Sequence, residues 1–321
     1  MDGQRKAILG LSLILLGSLS AIAATSQSAE EDPAAPTAER KTLTVAVVSS
    51  NSTFADPDAN IQHFEQLVQE AVSKGARLVC FPELALISYD CHLKEALQVA
   101  EEIPGPSTQK LADIARRHKA YLSVGMAEKD GQQYYIAQAL VGPQGYMGKY
   151  RKHHPTRPER ASGISAGKEF PVFDVEGFKL GINICADGRH HDTIEALKRK
   201  GVDVIHHPHG NFYDPDGEGM GFGKNAEEWT RGKTVYFVPR ATFSRAYILI
   251  NNSAGDTPRS NGLNRFTSGA LVIDPLGQVI ARTQQNDRQE KMVIATLKKP
   301  LSQIIPPFEI ERLERNGYEK K

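Results

Sequence analysis

Three short segments each end in a residue that can do chemistry with the other two. "CFPEL" leaves Glu83 past an apolar run that Pro82 closes, "GYMGKYRKHHP" leaves Lys152, and "GINICAD" leaves Cys185. A thiol near its ordinary pKa is mostly protonated at neutral pH, so a cysteine nucleophile needs an adjacent acceptor for its proton. A carboxylate can be that acceptor, and an ammonium group can stabilise the oxyanion that forms when the thiol attacks a carbonyl. Singly, each residue has an ordinary reading: a solvated acid after a strand, a surface lysine in a basic loop with Lys149, Arg151 and His153, an inert buried cysteine. The three become a site only if separate strands deliver them to one rim.

The surrounding pattern supplies such strands. "TLTVAVVSS" reads as a strand, and after it Ile61, Phe64, Leu67, Val68 and Val72 fall on one face of a helix that Gly75 stops. "RLVCFPE" is a second strand, and residues 107–118 a second helix with Ser107 as its N-cap. The stretch 120–152 reads as three strands joined by turns at Asp130-Gly131 and at 143–145. Past Cys185, "TIEALKRKGVDVIHHP" gives a helix and a strand, and "YILINNSAG" and "GALVIDPLGQVIAR" add further strands. Strands alternating with helices predict an α/β domain with helices covering the sheet faces, and in such sheets reactive groups collect where strands end.

The ends of the chain read differently. Arg5 and Lys6 precede the apolar run "AILGLSLILLGSLSAIAA", which closes on Ala21-Ile22-Ala23, the order of a secretory signal peptide over residues 1–23. The alternative is a membrane anchor, since the run approaches the ~20 residues that span a bilayer. Residues 24–40 are polar and rich in Ala, Pro and Glu, a flexible leader. Residues 41–321 contain no repeat and no second linker, which points to a single domain. With 39 Lys and Arg against 38 Asp and Glu, the formal charge of +1 gives no electrostatic case for nucleic acid or an anionic membrane surface. Three cysteines, Cys80, Cys91 and Cys185, leave at least one free thiol in an oxidising compartment, and a Cys80 to Cys91 disulfide stays open.

Taken in order and at their distances, "FPEL", "GKYRKHH" and "GINICAD" resemble the nitrilase superfamily of carbon-nitrogen hydrolases. "LTVAVV", "ALKRKGVDVIHHP" and "SGALVIDPLGQVIAR" extend the resemblance over nearly all of residues 41–321. The resemblance implies a four-layer αββα sandwich, with Glu83 as general base, Lys152 as the cation at the tetrahedral intermediate and Cys185 as nucleophile. It implies a thioester intermediate, an oxyanion donor at the Ala186 N–H, and neither metal nor organic cofactor. Glu159 matches a second pocket glutamate of many members, its alternative being an exposed loop acid beside Arg157 and Arg160. Asp187 and Arg189 match residues that hold the turn. Cys185-Ala186-Asp187 stands where nitrile-cleaving members typically show Cys-Trp-Glu, which favours a small linear amide or N-carbamoyl substrate. The resemblance also suggests a homodimer or larger homo-oligomer, with a tail whose Phe308, Ile310 and Leu313 either reach a neighbouring subunit or pack on their own domain.

A second class of reading comes from the histidines. His206, His207 and His209 crowd one strand end, with His153, His154, His190 and His191 elsewhere, and imidazole is a common metal ligand. An exported metal-binding protein or metallohydrolase is therefore the alternative, although "HHPH" fits neither a helical H-E-x-x-H nor a recognised Cys/His zinc spacing. In the thiol-hydrolase reading, His207 or His209 is expected to touch substrate.

Overall fold

The structure, a computed structural model, describes residues 41–89, 93–213, 224–255, 265–284 and 287–299. Residues 1–40, expected to be a signal peptide and leader, Cys91, and the expected tail anchors Phe308, Ile310 and Leu313 lie outside the described residues. Among the described residues no helix is long and apolar enough to cross a membrane.

The strands are β1 (Lys41–Ser49), β2 (Leu78–Cys80), β3 (Tyr121–Asp130), β4 (Gln133–Gly142), β5 (Gly145–Arg151), β6 (Val172–Val175), β7 (Phe178–Ile182), β8 (Val204–His209), β9 (Phe212–Tyr213), β10 (Tyr247–Asn252), β11 (Arg265–Phe266), β12 (Ala270–Ile273), β13 (Val279–Arg282) and β14 (Lys291–Lys299). They build two six-stranded sheets, ordered β14-β1-β2-β3-β4-β5 and β13-β12-β10-β8-β7-β6, beside the small pair β9 and β11. Each sheet has a parallel centre, β1-β2-β3 in one and β7-β8-β10 in the other, with antiparallel strands outside it. β2, at the centre of the first sheet, is short and continuously apolar because both of its faces are covered.

The helices are α1 (Pro57–Ser73), α2 (Leu93–Ala96), α3 (Pro106–His118), α4 (Arg157–Ala161), α5 (His191–Arg199) and α6 (Ala226–Ser244). α1 and α3 lie against the first sheet, α5 and α6 against the second, and β1, β12 and β14 meet between the sheets. The main core runs from Phe64 and Leu111 through Val47 and Leu122 to Leu180 and Leu249. A second core, with Ile194, Leu197, Phe237, Ile248 and Leu271, sits under α5 and α6. The four-layer αββα sandwich expected from the sequence is thus the architecture of the chain.

The layer between the sheets is not wholly apolar. His206 on β8 bonds Ser123 on β3 through Nδ1 at 2.9 Å and Asn251 on β10 through Nε2 at 3.1 Å. Asn251 Nδ2 in turn donates to Val48 O and Cys80 O, at 2.7 and 2.9 Å. All of these groups are buried. Because an unsatisfied buried polar group costs about 1–3 kcal/mol, this network favours one alignment of the two sheets.

Two details differ from the sequence reading, and one point that it left open is answered. α3 is capped by Gly105 and not by Ser107, because Pro106 suits the first helical position and Thr108 Oγ1 reaches back to accept the Gly105 N–H at 2.7 Å. α6 and β14 are both long elements that the apolar periodicity did not announce. Cys80 is a free, buried thiol on β2.

Candidate active site

Glu83 stands just past β2, fully buried. β3 passes so close that a Cβ on Gly125 would lie 2.2 Å from Pro82 O and 2.3 Å from Leu84 N, so only glycine admits this turn. Lys152 follows β5, where strand alternation separates it from its basic neighbours. Lys149 and Arg151 face Glu128, the latter at 2.7 Å through Nε, while Lys152 steps to the other side and is fully buried. Cys185 follows β7 with φ of +46°, a left-handed conformation that a cysteine adopts only under constraint. Asp187 supplies the constraint by accepting from Ile184 N at 3.0 Å, Tyr150 OH at 2.8 Å and His154 N at 2.6 Å.

The three side chains meet. Lys152 Nζ donates to Glu83 Oε1 at 2.6 Å and to Glu159 Oε1 at 2.7 Å, and the Cys185 thiol lies beside the Glu83 carboxyl. Glu83 Oε2 accepts the Gly210 N–H at 3.0 Å. Glu159 lies on the short α4, where its Oε2 accepts the Thr156 N–H at 2.7 Å and its Oε1 accepts Tyr89 OH at 2.6 Å. Two buried carboxylates share one ammonium, leaving the cluster one negative charge in excess. Burial, with the charge of Glu159 adding to it, therefore pushes Glu83 up to about 7 despite Lys152. Burial opposes the charge of Lys152, but the carboxylates overcome it and hold the ammonium above its ordinary range. Burial, followed by the charge of Glu83, pushes the Cys185 thiol up to about 12. Cys185 is thus a thiol beside a carboxyl poised near neutrality.

Cys185 opens onto a small cavity of about 100 Å³, lined also by Arg189, His209, Asn211, Lys233, Tyr236 and Phe237. Asn211 Nδ2 donates to Cys185 Sγ at 3.7 Å and is itself oriented by Trp229 Nε1 at 3.2 Å. Lys233 is buried on α6 with its Nζ 3.4 Å from His209 Nδ1, and burial pushes it down to about 7. Larger cavities of about 370 and 550 Å³ lie elsewhere and contain no cysteine.

Of the residues expected from the sequence, Glu83, Lys152, Glu159 and Cys185 come together, and Ala186 follows the thiol, buried. His209 lines the cavity. His207 is buried beside it, its Nδ1 bonded to Asn183 O and its ring 4.3 Å from Phe237. Burial keeps both rings well below the usual imidazole range. Arg189, expected to hold the turn, also lines the cavity. Sequence reasoning missed Tyr89, Asn211 and Lys233. Glu159 did carry a local signal, since Thr156-x-x-Glu159 spells a capping box.

Residues 44–304 match the carbon-nitrogen hydrolase family. The chain belongs to that family. A nitrilase of Pyrococcus abyssi is 39% identical to this hydrolase over 252 residues, covering 76% of this chain and 86% of its own. Nitrilase 1 of Arabidopsis thaliana is 32% identical over 272 residues, 75% of each chain. An amidase from Nesterenkonia sp. shares the fold with a TM-score of 0.65 at 19% identity, over 84% of this chain and 98% of its own. A Saccharomyces cerevisiae member of the nitrilase superfamily does so with a TM-score of 0.67 at 20% identity, over 84% and 97%. This is a carbon-nitrogen hydrolase of the nitrilase superfamily, as the motifs around Glu83, Lys152 and Cys185 led one to expect.

Proposed function

We propose that the hydrolase cleaves the carbon-nitrogen bond of a small linear amide or N-carbamoyl compound through a thioester on Cys185. The observation that carries this reading is the buried Lys152 ammonium bridging Glu83 and Glu159 beside the thiol. Glu83 takes the thiol proton as sulfur attacks the substrate carbon. An ammonium has three N–H donors, and Lys152 spends two on the glutamates, so a third remains for the oxyanion, together with the Ala186 N–H. Collapse breaks the C–N bond, and the leaving nitrogen takes the proton held by Glu83. The same carboxylate then removes a proton from water, whose oxygen attacks the thioester carbon. The acid departs and the thiol is restored, with no metal or organic cofactor entering any step.

Substrate size follows from the cavity: about 100 Å³ suits a few heavy atoms, far below the ~300–1,000 Å³ of drug-sized sites. Ala186 and Asp187 after the cysteine support an amide or N-carbamoyl bond. The nitrilase relatives favour a second reading, in which sulfur attacks a nitrile carbon to give a thioimidate that water carries on to acid and ammonia. Residues 1–23 support export, and the superfamily resemblance supports a homodimer or larger homo-oligomer.

Ammonia release from aliphatic amides, N-carbamoyl amino acids and nitriles of matched size tests these readings, with Cys185→Ala and chelator-treated protein alongside. Activity lost in the variant and kept with chelator supports the thiol mechanism, and the preferred substrate series decides between amide and nitrile. Activity that survives in Cys185→Ala overturns the mechanism.

A further inference from the structure

The histidines divide into two groups, and only one of them is arranged to hold an ion. On β8, His206 is bonded through both ring nitrogens, and although His207 Nε2 and His209 Nε2 are buried without a partner, no third ligand joins them to form a group of three among the described residues. Outside the catalytic cavity, His153, His154 and Asp192 bring one ligand atom each to within 4.8 Å of one another, the one such group of three among the described residues. His154 Nε2 is 3.1 Å from both Asp192 oxygens. His153 Nδ1 is buried with no hydrogen-bond partner, an unsatisfied position that a metal bond would relieve.

We propose that His153, His154 and Asp192 form a Zn²⁺ site. Zinc bonds of about 2.0–2.2 Å in tetrahedral geometry place ligand atoms roughly 3.3 Å apart. The His154 and Asp192 atoms already stand near that spacing, so closure needs a rotation of the half-buried His153 and replacement of the His154–Asp192 hydrogen bond by the ion. His190 stacks on His154 with ring centroids 3.7 Å apart at 16°, which fixes the ring plane. Two imidazole nitrogens and one carboxylate suit zinc and its first-row neighbours, whereas Mg²⁺ and Ca²⁺ call for more oxygen ligands. Water completes the coordination.

The position gives the site its role. His153 and His154 directly follow Lys152 at the end of the first sheet, and Asp192 lies in the first turn of α5, beyond the turn that holds Cys185. A bound ion ties the segment carrying the lysine to the segment carrying the thiol without touching a reacting atom. Zinc is thus a staple between the two halves of the site and stands outside the chemistry.

Calorimetric titration of ZnCl₂ into untagged, full-length Cys185→Ala protein tests this, the substitution removing the competing thiol. One zinc per chain is expected, with a raised melting temperature, and MgCl₂ or CaCl₂ at the same concentration should neither bind nor compete. Asp192→Asn, a conservative change at an exposed position, should weaken zinc at least about tenfold, and His153→Ala should do likewise, with circular dichroism confirming that both are folded. No zinc heat at about 100 μM, or an affinity unchanged in both variants, overturns the site.

Discussion

Glu159→Gln keeps the shape of the side chain and removes one negative charge from the buried cluster. Lys152 then loses one of two counter-charges, and a buried ion pair broken on one side costs about 3–5 kcal/mol. Glu83 still holds the lysine, which softens that cost. The glutamine must, however, accept from Lys152, Tyr89 and the Thr156 N–H with a single oxygen, leaving one buried donor unpaired for about 1–3 kcal/mol. A net loss of about 4 kcal/mol follows, and at about 2–4 °C per kcal/mol the melting temperature falls by roughly 8–16 °C. The same substitution removes a charge that raises Glu83, so the acidic limb of kcat/KM against pH, set by a Glu83 pushed up to about 7, moves to lower pH. Thermal denaturation and a pH series on the variant measure both effects. A limb that stays in place or moves upward, or a loss of stability under about 1 kcal/mol, refutes the account of two carboxylates sharing one ammonium.

Gly125→Ala places a methyl group 2.2 Å from Pro82 O, so the turn carrying Glu83 must shift, and activity should fall about 100-fold or more for a stability loss of about 1–3 kcal/mol; an unchanged rate removes Gly125 as the residue that sets Glu83. Acid should destabilise the fold. Burial lowers His206 from 6.5 to about 4, so its contribution is whole above pH 6.5 and is lost as the pH falls toward 4, about 3 kcal/mol in all, with His207 and His209 adding in the same direction. Glu83, raised to about 7, works the opposite way, regaining stability as pH falls from 7 toward 4.5. Urea denaturation at several pH values should show a net loss below pH 6.5, and constant stability from pH 7 to 5 speaks against the buried neutral histidines. His209→Ala, at the cavity wall, should alter kcat/KM more than His207→Ala, which should chiefly lower the melting temperature.

The strand ends of the candidate site were legible because β2 is a short, fully buried apolar run closed by Pro82, while Leu180, Ile182 and Ile184 alternate with Gly181 and Asn183 up to Cys185. Glu83 and Cys185 stand just past those runs. Lys152 hid among Lys149, Arg151 and His153, since side-chain alternation sorts like charges onto opposite faces only once β5 is paired. α6 was not legible: its apolar residues surround the helix, and Pro239 in its interior reads as a breaker. Lys233 went unnoticed for the same reason, as a lysine beside Arg231 and Gly232 reads as solvated surface until α6 is laid over the cavity. β14 was missed because its register is set by β1, far away in sequence, and a third of its residues are lysines.

β14 carries a further consequence. The chain begins its first sheet with β1, leaves it after β5 to build the whole second sheet, and returns only at its end, pairing Lys299 with Lys41. During synthesis, the edge of β1 that β14 will cover therefore stays unpaired until the whole second sheet has been made, and an unpaired strand edge invites association with other chains. Timing, then, is built into the topology: the first sheet that carries Glu83 and Lys152 is completed last, after the second sheet that carries Cys185. A truncation that removes β14 should leave a ragged sheet prone to aggregation, with the glutamate and lysine present in sequence but without the finished strand order that aligns them to the thiol.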